Sequence, residues 1–239
     1  MNPKPLGQKA YGSIAHLSNS RMGPGDHSCD PGMERIATKK TRDRHDLIIV
    51  QEKLDGTCCS VAKVENKILA LGRSGYLAGT SPFIMHQYFA QWVKKHHNRF
   101  YKLLNEGERV VGEWLIQAHG TRYNLPHEPF VPFDLMHLHQ RHNYHDFLLR
   151  VLPLGFTVPR LIHLGQPITV LAVMEQLEPS GHGAIDPIEG AVWRVERDKK
   201  VDFLVKYVRQ DKQDGRYLPE ISGKDPVWNV EKTFLETLQ

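Results

Sequence analysis

Residues 46–74 read DLIIVQEKLDGTCCSVAKVENKILALGRS. An apolar, β-branched run from Asp46 gives way at Glu52-Lys53-Leu54-Asp55-Gly56 to a polar loop. TCCSVAKV then resumes an extended pattern, ENK turns the chain, and ILALGRS returns. The pattern is strand, loop, hairpin, and the first loop carries a lysine able to project into a cleft instead of lying on a sheet face. Downstream, RVVGEWLI (109–116), FVPFDLM (130–136), GAVWRVE (190–196) and VDFLVKYV (201–208) continue the strand signal. Ile84, Met85, Tyr88, Phe89, Trp92 and Val93 recur at helical spacing, with Ser81 placed as N-cap and Pro82 at the first helical position. Further helices are predicted around Tyr144 to Val151 and Thr169 to Leu177. Strands outnumber helices and the turns between them are short, so the expected fold class is α+β with largely antiparallel sheets.

The chain has 239 residues, 40% hydrophobic and 24% charged, enough for one full core with at most a small extension. Residues 1–45, rich in Gly, Pro, Ser and charge, read as turns and are expected to form a leader packed on the domain. Residues 46–211 are expected to form the catalytic domain, and 212–239 a short C-terminal extension. No apolar run approaches the roughly 18 residues a spanning helix needs, and the N-terminal MNPKPLGQKAYGS lacks the apolar centre of a secretory signal. No membrane association and a cytoplasmic location are expected. The three cysteines, Cys29, Cys58 and Cys59, are read as reduced thiols and match no zinc spacing. A formal charge of +4 and a pI near 8.9 suit a protein that meets phosphates without identifying one.

Lys53 can be a nucleophile or part of a polar, hairpin-like turn. As a nucleophile it must act as the free amine, so its pKa must fall, helped by nearby cations or a metal ion. Gly56 would let the chain turn closely against a nucleotide. The nucleophile is favoured by the order of the downstream motifs, Gly72-Arg73-Ser74-Gly75, Gly112-Glu113-Trp114, Phe133-Asp134, Ile188-Glu189-Gly190-Ala191-Val192 and Leu204-Val205-Lys206.

This series resembles the motifs of the covalent nucleotidyltransferase superfamily of DNA ligases, RNA ligases and messenger-RNA capping enzymes. It is most similar to ATP-dependent RNA ligases, through EKLDGT, GRSG, GEWL and PFDL. The resemblance implies an ATP-grasp-like nucleotidyltransferase catalytic domain of mostly antiparallel sheets flanked by helices. It implies ATP as cofactor, with AMP carried covalently on Lys53, and Mg2+ or Mn2+ as the metal. Lys53 would be the nucleophile, Lys206 the clamp on the α-phosphate, and Glu189 a ligand of the hydrated metal, with Asp55 and Glu113 helping to hold it. Arg73 and Glu113 would contact the ribose or flanking groups, Phe133 would stack on adenine, and the Glu52 backbone would read the adenine edge. The expected partners are RNA ends bearing a 5′-phosphate and a 3′-hydroxyl. His119-Gly120-Thr121-Arg122-Tyr123-Asn124-Leu125-Pro126 resembles a segment after the glutamate motif of some RNA ligases, so it either lines the substrate groove or is an ordinary connecting loop.

The chain departs from the family in two ways. No OB-fold is expected after the last motif, and Lys206 lacks the usual second lysine two residues on; Arg209 would face the other side of the strand, and Lys212 stands too far along to be that feature. A helper protein or domain supplied in trans is one expected compensation. A nucleotide- or RNA-end-binding module with weakened catalysis, and a minimal DNA ligase, are the competing functions. The fourteen histidines, among them His96-His97, His137 and His139, do not form a zinc set by spacing.

Overall fold

The computed structural model describes residues 4–239. Its elements are β1 (Ala15–His16), α1 (Pro31–Thr38), β2 (Asp46–Lys53), β3 (Thr57–Val64), β4 (Lys67–Gly72), α2 (Ile84–Lys95), α3 (His97–Leu103), β5 (Glu108–Trp114) and β6 (Phe130–His137). There follow β7 (Gln140–Arg141), α4 (Tyr144–Val151), β8 (Leu161–Gly165), α5 (Val170–Met174), β9 (Gly190–Arg197), β10 (Lys200–Val208), α6 (Pro219–Ser222) and α7 (Lys232–Glu236). They build two five-stranded sheets, ordered β1-β10-β9-β2-β8 and β4-β3-β5-β6-β7. Every pairing is antiparallel except the short β1–β10 contact. This is the expected α+β nucleotidyltransferase architecture of mostly antiparallel sheets flanked by helices.

β2 is apolar throughout because it is buried on both faces. Ile48 and Val50 point outward, where Trp193, Val195 and Val205 of the same sheet meet Ile36 and Ala37 of α1 and Val173 of α5. Ile49 points the other way, into the larger core with Phe89, Trp92, Trp114 and Phe130. In that core the rings of Trp92 and Trp114 lie 5.5 Å apart, and those of Phe89 and Phe130 5.2 Å apart. Each such side chain contributes about 1.5–3 kcal/mol by leaving water. α2 supplies this layer with Met85, Phe89, Trp92 and Val93.

Three local expectations change. The leader contains a true helix, α1, begun by Asp30 accepting from Gly32 N and by Pro31 at the first helical position; its Gly and Pro content masked an eight-residue element. α2 starts at Ile84 with Phe83 as N-cap, while Ser81 stands before it, its hydroxyl bonded to His86 Nδ1 at 2.7 Å and accepting from Phe83 N. β8 had no sequence signal, since LIHLG is a short edge strand with little alternation. Both chain ends pack on the sheets. The amides of Ala10 and Tyr11 donate to Arg73 O, and Leu235 and Leu238 enter the main core. Among the described residues no helix is long and apolar enough to cross a membrane.

Candidate active site

β2 ends at Lys53 in one sheet and β3 begins at Thr57 in the other, so the Leu54–Gly56 loop crosses between them. The sheets diverge there around a cavity of about 820 Å³. Its floor is laid in register across three strands. Gln51, Val192 and Lys206 form one row, and Lys53, Gly190 and Val208 the next. Directly paired residues share a face, so Lys206 points into the cavity as strand alternation requires. Gly190 is obligatory in its row, because a Cβ there would lie 1.9 Å from Tyr207 O. The opposite wall carries Thr57, Cys58, Glu113 and Phe133. β5 and β6 pair Val111 with Asp134 and Gly112 with Pro132, leaving Phe133 as the extra residue of a bulge, a device that re-aims a side chain. Its ring meets that of Tyr11 from the leader edge-on, centroids 5.3 Å apart.

Lys53 Nζ donates to Glu189 Oε2 at 2.5 Å. Burial opposes the charge on Lys53, but Glu189, Glu113 and Asp55 outweigh it and hold its pKa above the ordinary lysine value. The expected fall in this pKa therefore does not come from the protein alone. The same crowding has a mirror effect on the acids. Burial, with Glu189 and Asp55 nearby, pushes Glu113 up to about 8 against the pull of Lys53, while one Glu113 oxygen accepts from Gly56 N at 3.1 Å. Burial also raises Glu189, against the pull of Lys53.

Asp55 is turned away to a different partner. Its Oδ2 accepts from Gly120 N at 2.8 Å and pairs closely with Lys212 Nζ, which also bonds Thr121 Oγ1 at 2.6 Å. Burial penalises the Asp55 charge, but Lys212 and Lys53 more than compensate and keep its pKa low. Here the sequence expectation fails: Lys212, four residues past β10, folds back into the site because the chain turns after Val208. Arg209 instead pairs with Asp211. The segment from His119 to Tyr123 wraps this loop. His119 Nε2 meets Thr57 Oγ1 at 3.1 Å and Tyr123 Oη accepts from Asp55 N at 3.0 Å.

The remaining candidates are also placed. Lys53, Gly56, Arg73, Glu113, Phe133, Lys206 and Glu52 line the cavity, and Glu189 joins it through Lys53. Glu52 keeps its amide on Arg160 O and its carboxylate on Ser180 Oγ, Gly181 N and Arg160 Nε, so its side chain is structural. Arg73 donates to Gly12 O. Lys206 lies 3.3 Å from Asp26 of the leader, whose other oxygen lies 3.1 Å from His16 Nε2. Burial and the proximity of Lys53 lower Lys206, with Asp26 opposing. Asp26, His86 and His119 are functional neighbours with no sequence signal, brought in by the leader and by two connections. Among the described residues no three His, Cys, Asp or Glu side chains stand grouped as a ready-made metal site.

No curated protein sequence matches the chain. Among solved structures it is similar to an apo RNA ligase variant of Naegleria gruberi, with a TM-score of 0.54 and 16% identity over 84% of this chain and 58% of that one. A Naegleria gruberi RNA ligase variant with AMP and Mn gives 0.53 and 15% over 84% and 61%. An archaeal ATP-dependent RNA ligase gives 0.49 and 16% over 83% and 48%. The chain thus spans about half the length of that archaeal ligase. The family described as RNA ligase matches residues 46–208, which include every candidate residue from Glu52 to Lys206. The chain belongs to the RNA ligase family.

Proposed function

We propose that this chain is the nucleotidyltransferase unit of an ATP-dependent RNA ligase acting in RNA end repair, with residues 46–211 as its catalytic domain. The observation that carries this is Lys53 at the junction of two sheets, beside Glu189 and Glu113, in one cavity with Lys206 and Phe133. Lys53 Nζ attacks the α-phosphorus of ATP, the bond to pyrophosphate breaks, and the amine loses a proton. A 5′-phosphate oxygen of RNA then takes the AMP from nitrogen, and a 3′-hydroxyl displaces AMP to leave a phosphodiester. The protein's work is positioning and charge stabilisation. Lys206 holds the α-phosphate, Phe133 offers a face to the base, and Arg73 and Glu113 meet the ribose.

The donor set fits a hard divalent cation. Glu189 and Glu113 are carboxylates crowded enough that one is pushed up to about 8, and an added cation relieves that crowding. They would hold the ion, with Asp55 braced behind them by Lys212. When bound, Mg2+ or Mn2+ supplies charge neutralisation at phosphate oxygens, in keeping with the similar Naegleria gruberi structure that contains AMP and Mn. The three cysteines are free thiols, which suits a reducing, cytoplasmic setting.

Incubation with radiolabelled ATP and a divalent metal, followed by a denaturing gel, tests the proposal. The expected adduct is acid-labile, alkali-stable and absent from Lys53→Ala. Failure of the wild-type chain to label would favour a binding module, a reading supported by Lys53 and Lys206 both lying in ion pairs without ligand. Full labelling of Lys53→Ala would remove Lys53 as nucleophile. Sealing of nicked DNA as well as RNA ends would favour the minimal DNA ligase. Sealing only after addition of a second protein would favour a helper in trans.

A further inference from the structure

Along β2 the cavity floor descends from Lys53 to Gln51, two residues further from the loop on the same face, and ends at fully buried Ile49. Gln51 is 7% exposed. Its Nε2 donates to Pro159 O at 3.2 Å. A carbonyl oxygen can only accept, so this bond fixes which end of the carboxamide is the NH2. Among the described residues no donor reaches Oε1, and this oxygen is not one of the solvent-excluded polar atoms left without a partner. It therefore opens on the cavity that Gln51 lines. The site thus presents one oriented acceptor, flanked by Val192 in the same row and facing a wall that includes Phe133.

We infer that Gln51 reads the nucleobase, its Oε1 accepting from the exocyclic amine at purine C6. This rests on the proposed binding of a nucleotide in the cavity. With the α-phosphate between Lys53 and Lys206, the deep end of the floor meets the part of the nucleotide furthest from phosphate. In a purine that part is the edge opposite the glycosidic bond, which carries C6. An acceptor there is satisfied by a 6-amino group, left unpaired by hydrogen and opposed by a 6-oxo group. A buried acceptor left without a donor is penalised more than a hydrogen bond made is rewarded. Gln51 thus adds a side-chain reader to the backbone edge expected at Glu52.

The test is equilibrium binding of the full chain to α,β-methylene triphosphates of adenosine, purine riboside (hydrogen at C6) and inosine (oxo at C6), which resist transfer to lysine. Wild type should bind the adenosine compound about 10-fold more tightly than the purine riboside compound, and the inosine compound no better than the latter. In Gln51→Met, which keeps length and loses the acceptor, the adenosine-to-purine ratio should fall to near 1. Gln51→Ala serves the same comparison if the methionine variant does not fold. Equal binding of the three by wild type, or a folded variant that keeps the 10-fold ratio, overturns the inference. Labelling with ATP separates the two readings. Discrimination at C6 without an adduct sinks the ligase function and keeps the reader, whereas an adduct with no discrimination does the reverse.

Discussion

Replacing Lys212 with methionine should destabilise the fold in a way that depends on pH with a defined sign. The lysine side chain is 3% exposed and Asp55 14%. Removing one partner of such a pair costs about 3–5 kcal/mol, because the other charge stays buried. Asp55 retains the Gly120 amide at 2.8 Å. It can also escape by protonating, which from an ordinary value near 3.9 costs about 4 kcal/mol at pH 7, at about 1.36 kcal/mol per unit. The loss is therefore bounded at about 3–4 kcal/mol at neutral pH, out of a total of about 5–15. In wild type the Asp55 pKa is depressed, so its contribution is complete above the unfolded value and disappears as pH falls through the folded one. In Lys212→Met burial prevails, and the folded state binds the proton that the unfolded state releases. The variant should then gain about 1.4 kcal/mol per unit on acidification from pH 7 towards 4, relative to wild type. Urea titrations of both proteins at pH 5, 6 and 7 measure this, and Asp55→Asn/Lys212→Met should recover part of the loss. A deficit below about 1 kcal/mol at pH 7, or one that does not shrink on acidification, refutes the argued coupling.

Glu189→Gln should lower the rate of lysine labelling far more than nucleotide affinity. Because Glu189 helps hold Lys53 above its ordinary value, the alkaline rise of the labelling rate should move to lower pH; an unmoved pH profile speaks against the pairing. Lys206→Ala should lose labelling nearly as fully as Lys53→Ala, whereas Arg209→Ala, whose partner is Asp211, should keep it. Time courses at saturating ATP distinguish these, and a fully active Lys206→Ala defeats the assignment. Gly190→Ala should weaken the β9–β10 pairing beside Lys53, since its Cβ would stand 1.9 Å from Tyr207 O. Thermal denaturation should show a loss above about 2 kcal/mol, and a melting temperature equal to wild type would show that the backbone yields there.

The sequence by itself determined the strands that carry the site and the identity of Lys53, Glu113, Phe133, Glu189 and Lys206 as its candidates. These residues lie in or beside regular strands, where local alternation and motif order set both element and face. Lys206 is the clearest case: a period of two along VDFLVKYV is enough to point it at the cavity. Only the tertiary structure decided the rest. Lys212 comes from a turn with no periodicity, and its approach to Asp55 depends on where the chain after β10 lands. α1, Tyr11 and Asp26 come from a leader whose Gly and Pro conceal how it crosses the sheet edge at β10. The charge state of Lys53 could not be read from its motif either. It is set by the sum of a desolvation penalty and several carboxylates drawn from three separate strands and loops, and that sum exists only once the two sheets have closed on one another.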